Sequence, residues 1–535
     1  MKPPFRLLPT LAFVGATFAF SLGASAPVSA QVTAFKQAVA EAASVDDSMA
    51  AYYRAANYQP LWTGTDDVHR ARRAALIEAL RGAKTHGLPQ LRYDVASLMA
   101  QMKQARTTRD LGLIEVALSK AYLRYARDVQ SGALVPSKID AGLVRKVEYR
   151  DQTQHLAGLE RANPRAFIAG LAPGTQEYRA LRKEKMRLEL LVAQGGWGEK
   201  ISAKALKPGQ TGEAVVALRN RLIAMGYMHR SAAGSYDATL QKAVQAFQEA
   251  HGLEADGVAG AGTVTEMNRP AEDRLKSVLV AMERERWLNK DRGKRHVLVN
   301  LADFHAQIID EGRVTFKTRS VIGKNVPDRR SPEFSDVMEH MIINPSWHVP
   351  RSIMTKEYLP QLKRNPNAAG HLIITDRRGR RVDRSAVDFT QFSRGNFPFD
   401  MRQPPSNRNA LGLVKFMFPN KYNIYLHDTP QKALFSRESR AYSHGCIRLA
   451  DPFDFAYALL AVQNDDPKPY FQGILKSRRE TKVVLDSPVP VHLIYRTAFT
   501  SEKGRAEYRR DVYGRDAKIW NALQQAGVVL RDVQG

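Results

Sequence analysis

The stretch YLHDTPQKALFSRESRAYSHGCIRLA, residues 425–450, contains two histidines and the only cysteine of a 535-residue chain. Cys446 ends the tetrapeptide Ser-His-Gly-Cys at 443–446, and fifteen residues separate His427 from that tetrapeptide. A single cysteine cannot form a disulfide within the chain, so Cys446 does not serve as a disulfide cross-link there. The alternative is a buried structural cysteine, and the neighbouring residues favour a nucleophile.

Those neighbours suit cysteine chemistry. Only a few per cent of a free thiol is thiolate at neutral pH, and an adjacent imidazole that takes the proton makes it reactive toward a carbonyl carbon. His444 lies two residues before Cys446, and side chains two apart in an extended segment face the same side. Gly445 permits a bend between them. The backbone N–H groups of Gly445 and Cys446 are then predicted to form an oxyanion hole.

Three further residues near the cysteine are candidate site residues. We expect Ser443 to hold the imidazole or its loop by hydrogen bonding, with a plain turn residue as the alternative. Arg448 is expected to anchor a substrate carboxylate or to fix the cysteine loop, with a structural ion pair as the alternative. His427 is predicted to play a supporting role. Two histidines and a cysteine also suggest zinc, but the short His-Gly-Cys spacing is unlike usual zinc sites, so no metal and no cofactor are expected.

The N-terminus predicts export. Residues 1–30 resemble a secretory signal, with Lys2 and Arg6 before an apolar stretch and a small-residue cleavage site ending at Ala30. No later stretch approaches the roughly 20 uninterrupted apolar residues of a membrane span. We therefore expect membrane contact only if the signal stays uncleaved as an anchor. Exported proteins usually pair their cysteines, which makes the lone thiol more unusual.

The charge balance indicates polyanionic partners. The chain has 80 Lys and Arg against 54 Asp and Glu, a formal charge of +26, which attracts anions at long range. Export removes cytoplasmic nucleic acid as a partner, which leaves anionic envelope polymers and lipid head groups. The alternative is a surface charge that serves solubility alone.

The chain is predicted to be a multidomain α+β protein. Residues 31–200 carry helical periodicity and form a scaffold without a catalytic cluster. Residues 205–270 form a smaller unit with two amphipathic helices, starting near Val215 and Leu240, and a third short helix after an Asp-Gly turn. The order AVQAFQ…GL…DGVAGAGT resembles the three-helix peptidoglycan-binding domain of cell-wall enzymes.

A β-rich domain is predicted at 293–500, followed by a C-terminal extension at 501–535. Short runs of β-branched and apolar residues predict its strands, at 296–301, 304–309, 314–322, 336–343, 413–418, 422–427 and 489–495. An Arg-rich insertion at about 351–405 interrupts them and is interpreted as a lid. A helix is expected at 451–463.

The motif identifies a family. The pattern of His, fifteen residues and Ser-His-Gly-Cys-Ile-Arg resembles the signature of the YkuD-type L,D-transpeptidases, which cross-link peptidoglycan. The blocks MIINPSWHVP from Met341, RQPPSNRNALG from Arg402 and PVPVHLIYRTAF from Pro488 are similar to its large YcbB-like branch. That branch has an N-terminal scaffold domain, a peptidoglycan-binding domain and a lid. One departure is Leu449-Ala450 where many relatives have an asparagine nearby, which affects only the expectation of an amide there.

The resemblance implies a two-step acyl transfer. Cys446 would attack the third residue of a donor tetrapeptide stem, diaminopimelate, and expel D-Ala. The amine of a second stem would then capture the thioester and form a 3→3 cross-link. His444 would act as base and then acid. Trp347, Tyr425 and Arg448 would line the donor groove, and the lid would order the acceptor or exclude water.

The resemblance also implies surroundings and alternatives. It implies a periplasmic protein that binds peptidoglycan stem peptides and glycan, works with cell-wall synthases and is a carbapenem target. One alternative is an L,D-carboxypeptidase or endopeptidase that uses the same cysteine. Another is a non-catalytic wall-binding scaffold.

Overall fold

The computed structural model describes residues 33–501 and 504–530, so the predicted signal lies outside the described residues. Its N-terminal region is helical, as predicted. Eight helices follow one another there: α1 (Ala34–Ala43), α2 (Asp47–Ala55), α3 (Asp67–Arg81), α4 (Val95–Gln104), α5 (Thr108–Ser131), α6 (Gln152–Arg161), α7 (Pro164–Ala169) and α8 (Gln176–Ala193). In the part of the chain that the structure describes, no helix is both long and apolar enough to cross a membrane.

A buried carboxylate organises this helical region. Glu115 on α5 is fully buried and accepts hydrogen bonds from the backbone N–H groups of Leu61, Trp62 and Thr63 and from the hydroxyl of Tyr53. These bonds satisfy a charge whose burial is otherwise costly. Hydrogen bonds to this buried carboxylate therefore connect α5 to the segment 61–63 and to α2 within an aromatic core.

The next unit is the predicted three-helix module. Its helices are α9 (Glu213–Ala224), α10 (Ala238–Ala250) and α11 (Ala261–Met267). The apolar faces expected from the sequence meet in its core, which includes Val215, Leu218, Leu222, Leu240, Val244 and Phe247. Apolar residues at three- and four-residue spacing thus bury one stripe of each helix.

Helix α12 (Ala271–Trp287) connects the parts of the molecule. Almost all of it is buried, including Arg284, which pairs with Glu333 at 2.5 Å and with Asp516 at 3.1 Å. Arg515 also reaches Glu333, at 3.1 Å. Buried charges are stable only when paired in this way, so the network joins α12 to the β-rich domain and to the C-terminal region.

The β-rich domain is a nine-stranded sheet closed on itself, which confirms the predicted fold class. The strands, in chain order and including those of two smaller sheets, are β1 (Arg295–Asn300), β2 (His305–Asp310), β3 (Arg313–Gly323), β4 (Phe334–Ile343), β5 (Trp347–His348), β6 (Ile373–Thr375), β7 (Asp400–Gln403), β8 (Val414–Met417), β9 (Leu426–His427), β10 (Ala441–Ser443), β11 (Ile447–Leu449), β12 (Thr481–Ile494), β13 (Ala498–Thr500) and β14 (Ala506–Tyr508). The order is β10-β3-β11-β9-β8-β4-β12-β1-β2, and a further pairing of β2 with β3 closes the sheet.

Five helices complete the list: α13 (Arg351–Ile353), α14 (Leu359–Arg364), α15 (Pro452–Leu460), α16 (Pro467–Lys476) and α17 (Arg515–Gln525). Helix α15 is the helix predicted after the cysteine, and its Phe455 is buried in the sheet core. The C-terminal β13–β14 pair and α17 pack against α12.

The predicted lid has its own small fold. Strands β5, β7 and β6 form a three-stranded sheet beside α13, α14 and a π-helical turn, Met354–Tyr358. We call residues 347–403 the insertion. Its core is separate from the sheet core and includes Leu359, Leu362, Phe389, Phe397 and Met401, all at most 2% exposed. The insertion is therefore a structural unit rather than a loose loop.

Candidate active site

The tetrapeptide at 443–446, which we call the cysteine turn, joins β10 to β11. Both strands pair with β3, β10 in parallel and β11 in antiparallel orientation, so the chain must reverse between them. Gly445 makes the reversal with a φ of +121°, and a Cβ there would lie 3.1 Å from Ile424 Cδ1. L-residues rarely adopt that backbone region. The turn therefore requires glycine.

Two serines hold the cysteine turn. The Ser443 hydroxyl donates to the Cys446 carbonyl at 2.5 Å and accepts from the Gly445 N–H at 3.1 Å. Ser331 donates to the Gly445 carbonyl at 2.6 Å. Ser443 thus bonds the loop, not the imidazole. In this state the Gly445 N–H is engaged by that hydroxyl, so its expected role in an oxyanion hole stays a prediction.

Strand order brings the other predicted residues to the cysteine. Strand β9 runs parallel to β11, with His427 opposite Arg448, and Lys415 of β8 lies opposite His427. Neighbouring strands lie about 5 Å apart. Sheet pairing therefore gathers side chains that are distant in sequence.

These side chains face a cavity of about 1000 Å³ between the closed sheet and the insertion. Seven of the eight predicted site residues line it, namely Trp347, Tyr425, His427, Ser443, His444, Cys446 and Arg448. Gly445 belongs to the cysteine turn but is not among the lining residues. Seven of the predicted residues therefore share one cavity, and their roles stay predictions.

The thiol is protonated in this state. Cys446 is half-buried and donates to the Asn423 carbonyl at 3.4 Å. Burial raises the pKa of Cys446 to about 11, while hydrogen bonds from Tyr425 and the charges of Arg448 and Lys415 act in the opposite direction. Nucleophilic attack at neutral pH thus needs a base to remove the proton.

The imidazole of His444 lies at the rim, where its Nε2 is 2.6 Å from Glu357 Oε1 of the insertion. Across residues 33–501 and 504–530, no hydrogen bond joins His444 to the Cys446 thiol. The two predicted catalytic side chains share a cavity but do not contact each other through a hydrogen bond. Catalytic hydrogen bonds are often long or misaligned until substrate binds.

His427 and Arg448 form an inner wall of the cavity. His427 is buried, and burial, followed by the nearby Arg448 charge, lowers its pKa to about 3, so the ring is neutral. Arg448 donates to Gln431 at 2.6 Å, and its buried Nε has no partner in the part of the chain that the structure describes. Burial lowers the pKa of Arg448, and a thiolate at Cys446 would act in the opposite direction. A partly exposed guanidinium on the cavity wall suits an anionic ligand.

Sequence reasoning missed other residues that line this site, among them Arg329, Glu357, Lys415 and Asn423. Lys415 carried a usable signal, because it is a charged residue within the apolar strand VKFM. Glu357 carried none, because its contact depends on how the insertion folds over the cysteine turn.

Comparison with known proteins agrees with this organisation. Residues 294–484 match the family model described as "L,D-transpeptidase catalytic domain". Residues 211–267 match "Putative peptidoglycan binding domain", and residues 47–184 match "Scaffold domain".

Individual relatives are similar to part of this chain. A protein of Haemophilus influenzae named "Putative L,D-transpeptidase" is 31% identical over 225 residues, which cover 42% of this chain and 45% of that protein. An L,D-transpeptidase structure from Xylanimonas cellulosilytica has 16% identity and a TM-score of 0.17, with 55% of this chain and 100% of that chain covered. One from Stackebrandtia nassauensis has 15% identity and a TM-score of 0.22, with 56% and 97% covered.

The domain matches define the class. Three segments of the chain match an L,D-transpeptidase catalytic domain, a putative peptidoglycan-binding domain and a scaffold domain, in the order that the motifs predicted. The matched catalytic domain belongs to a class of enzymes, and the two matches at 294–484 and 211–267 together indicate an extracytoplasmic protein.

Proposed function

We propose that this protein forms 3→3 cross-links between diaminopimelate residues of peptidoglycan, through a thioester on Cys446 and with release of D-Ala. The main support is the thiol that faces a cavity of about 1000 Å³ in a domain matched to L,D-transpeptidases. His444, Arg448 and Lys415 line the same cavity, so a base and two cations surround the reacting sulfur.

In the first step the imidazole of His444 takes the Cys446 proton, and the thiolate attacks the carbonyl carbon at the L-centre of the donor diaminopimelate. The positive charges of Arg448 and Lys415 stabilise the thiolate against the cost of burial. The tetrahedral oxygen becomes anionic and accepts from the Cys446 N–H, joined by the Gly445 N–H once it leaves Ser443. Collapse breaks the bond to D-Ala, whose amine takes the proton from the imidazolium.

In the second step the amine of an acceptor stem attacks the thioester. His444 takes the amine proton, the new amide bond forms, and the thiolate leaves and is reprotonated. Water competes with the amine for the thioester. The insertion covers the cavity with Trp347 and Tyr358, and we assign it the exclusion of water and the ordering of the acceptor.

Substrate recognition follows from the chemistry of the walls. Arg448 presents a partly exposed guanidinium on the cavity wall, which suits a stem-peptide carboxylate. Trp347 and Tyr425 line the donor groove with aromatic rings. His427 adds a neutral imidazole, which is polar but carries no charge.

The domain composition extends the proposal. The matched peptidoglycan-binding domain supports peptidoglycan as the partner, and the formal charge of +26 favours its anionic surroundings. We place the protein in the periplasm, exported by residues 1–30 and acting beside cell-wall synthases. A reactive thiol in this site would also be acylated by carbapenems.

The test uses protein that begins at Gln31 with purified tetrapeptide muropeptides. The wild type is expected to produce dimers that have lost one D-Ala, and Cys446→Ala is expected to produce none while its circular dichroism is unchanged. Dimers from the alanine variant would contradict the proposal. Tripeptides without dimers would indicate a carboxypeptidase, and retention on sacculi without any product would indicate a wall-binding scaffold.

A further inference from the structure

We infer that a second cavity beside the active site, which we call the basic cavity, binds a free carboxylate of the donor stem peptide. It has a volume of about 260 Å³, and its lining comes from residues 144–146 of the N-terminal region, from Lys290, from the start of β4 and from the loop 420–422. This inference rests on the proposed function. It adds a substrate contact outside the catalytic cavity, to which the N-terminal region contributes.

The charges that line the basic cavity are mostly positive. Among the described residues, the lining contains one carboxylate, Asp336, and four cations, Arg145, Lys146, Lys290 and Lys421. Lys290 pairs with Glu148 at 3.1 Å. Throughout residues 33–501 and 504–530, no carboxylate forms an ion pair with the other three cations. A cleft lined by charges of one sign attracts the opposite charge, so this cavity favours an anion.

Arg145 is the most enclosed of the four cations. It is half-buried, whereas the three lysines are exposed. In the described part of the chain its hydrogen bonds go to neutral oxygens, the Ser335 hydroxyl at 3.0 Å and the Leu493 carbonyl at 2.9 Å. Burial lowers the pKa of Arg145 to about 10, although the charge of Glu333 opposes this, so the guanidinium is still charged at neutral pH. An anion in the basic cavity would compensate that charge.

A short loop joins the basic cavity to the catalytic cavity. Tyr422 lines both cavities, and the carbonyl of the next residue, Asn423, accepts the hydrogen bond of the Cys446 thiol at 3.4 Å. Lys421 is two residues from Asn423, so their Cα atoms are at most about 8 Å apart. An extended tetrapeptide spans about 13–14 Å. A single donor stem is therefore long enough to reach both cavities.

Contacts within the loop give the basic cavity a charged side and an apolar side. Two hydrogen bonds from the Asn420 amide to backbone carbonyls, at 2.6 and 2.7 Å, hold the loop. The Tyr422 ring packs against Phe334 with centroids 5.1 Å apart, and Lys421 Nζ lies 5.4 Å from the Tyr422 centroid. A few polar groups in an otherwise apolar wall are typical of sites that orient a ligand. The lining thus suits a carboxylate on an aliphatic side chain.

The donor stem supplies such a group. Diaminopimelate has two carboxyl groups, and the peptide chain uses only one of them, so the other is a free carboxylate on an aliphatic chain. Lysine ammonium groups contact a carboxylate as point charges, and charge-assisted hydrogen bonds are stronger than neutral ones. Because this contact is the same before and during the reaction, it contributes to donor affinity rather than to the chemical step.

The experiment compares two double variants of protein that begins at Gln31, Lys146→Met/Lys421→Met and Lys468→Met/Lys476→Met. The second pair is the control, because it removes two exposed lysines from α16 that line neither the basic nor the catalytic cavity. An exposed charge contact is worth up to about fivefold in affinity. The first double variant should therefore raise KM for the donor about five- to twentyfold and leave kcat within about twofold. The control should leave both within about twofold.

A modified donor tests the contact itself. In this donor the free carboxylates are amidated, apart from that of the terminal D-Ala. Amidation should raise KM of the wild type at least about fivefold more than KM of the Lys146→Met/Lys421→Met variant, because the variant has already lost the contact. In Cys446→Ala protein, which binds the donor without reacting, calorimetry should show the same weakening by the two lysine substitutions.

Three results would overturn the inference. An unchanged KM in Lys146→Met/Lys421→Met would show that the cavity binds no part of the donor. An equal rise in the control would show that the overall charge of the protein attracts the donor. An equal effect of amidation on the wild type and the variant would show that the carboxylate binds elsewhere. A wild type that makes no dimers contradicts the proposed function instead, and calorimetry still tests the basic cavity.

Discussion

The two walls of the cavity are built differently. On the sheet wall, His427 and Ser443 are at most 4% exposed, and Arg448 sits in a ladder paired on both sides. On the insertion wall, Glu357 and Lys356 contact the rest of the protein through partly exposed ion pairs. The Cys446 thiol thus lies in a turn between two paired strands, whereas partly exposed ion pairs connect the insertion to the rest of the protein.

The energies differ accordingly. Exposed ion pairs contribute about 0–1 kcal/mol each, so the two pairs that hold the π-helical turn cost little to break. The insertion core, by contrast, buries Phe389 and Phe397 almost completely, and each such ring is worth about 3 kcal/mol or more. The insertion core therefore does not depend on the ion pairs that connect the insertion to the sheet wall.

The largest expected effect comes from emptying the insertion core. Phe389→Ala should destabilise the insertion by about 3–5 kcal/mol, because it leaves a cavity among Phe397 and Phe399. Hydrogen exchange should accelerate by more than about a hundredfold at 373–403 and stay unchanged in β3 and β12. Equal acceleration in both regions would show that the insertion and the closed sheet unfold as one unit.

A change in the cysteine turn should have the next largest effect. Gly445→Ala places a Cβ 3.1 Å from Ile424 Cδ1 at a φ of +121°, which costs about 1–3 kcal/mol. We expect dimer formation to fall about ten- to a hundredfold, because the turn moves Cys446. Gly473→Ala is the matched control, since it lies in α16 with no atom within 4 Å of the new Cβ. Full activity of Gly445→Ala would contradict a rigid sheet wall.

The smallest expected effect concerns the thiol. Since the pKa of Cys446 is about 11, about 10⁻⁴ of it is thiolate at pH 7. Alkylation by iodoacetamide should therefore rise about tenfold per pH unit from pH 7 to 10 without levelling. Lys415→Met removes a positive charge that favours the thiolate and should slow alkylation about two- to fivefold at pH 8. A plateau below pH 9 would contradict the burial of the resting thiol.

The sequence predicted the sheet wall better than the insertion wall. Cys446, His444 and Ser443 lie within one tetrapeptide, and β9 and β11 bring His427 and Arg448 together by direct pairing. A local motif and two adjacent strands are enough to predict that side. Glu357 is 87 residues from His444, and its position depends on the packing of the insertion, which no local pattern encodes.

Two observed strands have limits that differ from the predicted ones, because the local backbone departs from regular strand geometry. The strand predicted at 422–427 covers only Leu426–His427, because Asn423 has a φ of +54° and Asn420 hydrogen-bonds the carbonyls of Phe418 and Ile424. The strand predicted at 489–495 begins earlier, at Thr481. A register shift between Val484 and Val489 interrupts the alternation of apolar and polar residues. The sequence pattern therefore did not predict the first half of this strand.

The most direct test of the central claim is the mass of the Cys446 peptide after brief reaction with a donor tetrapeptide and no acceptor. The account predicts that this peptide gains the mass of the stem tripeptide acyl group, that one D-Ala is released per adduct, and that addition of an amine acceptor removes the adduct as the cross-linked product appears. An unmodified Cys446 in protein that is forming dimers, or an acyl group on another residue, would contradict it.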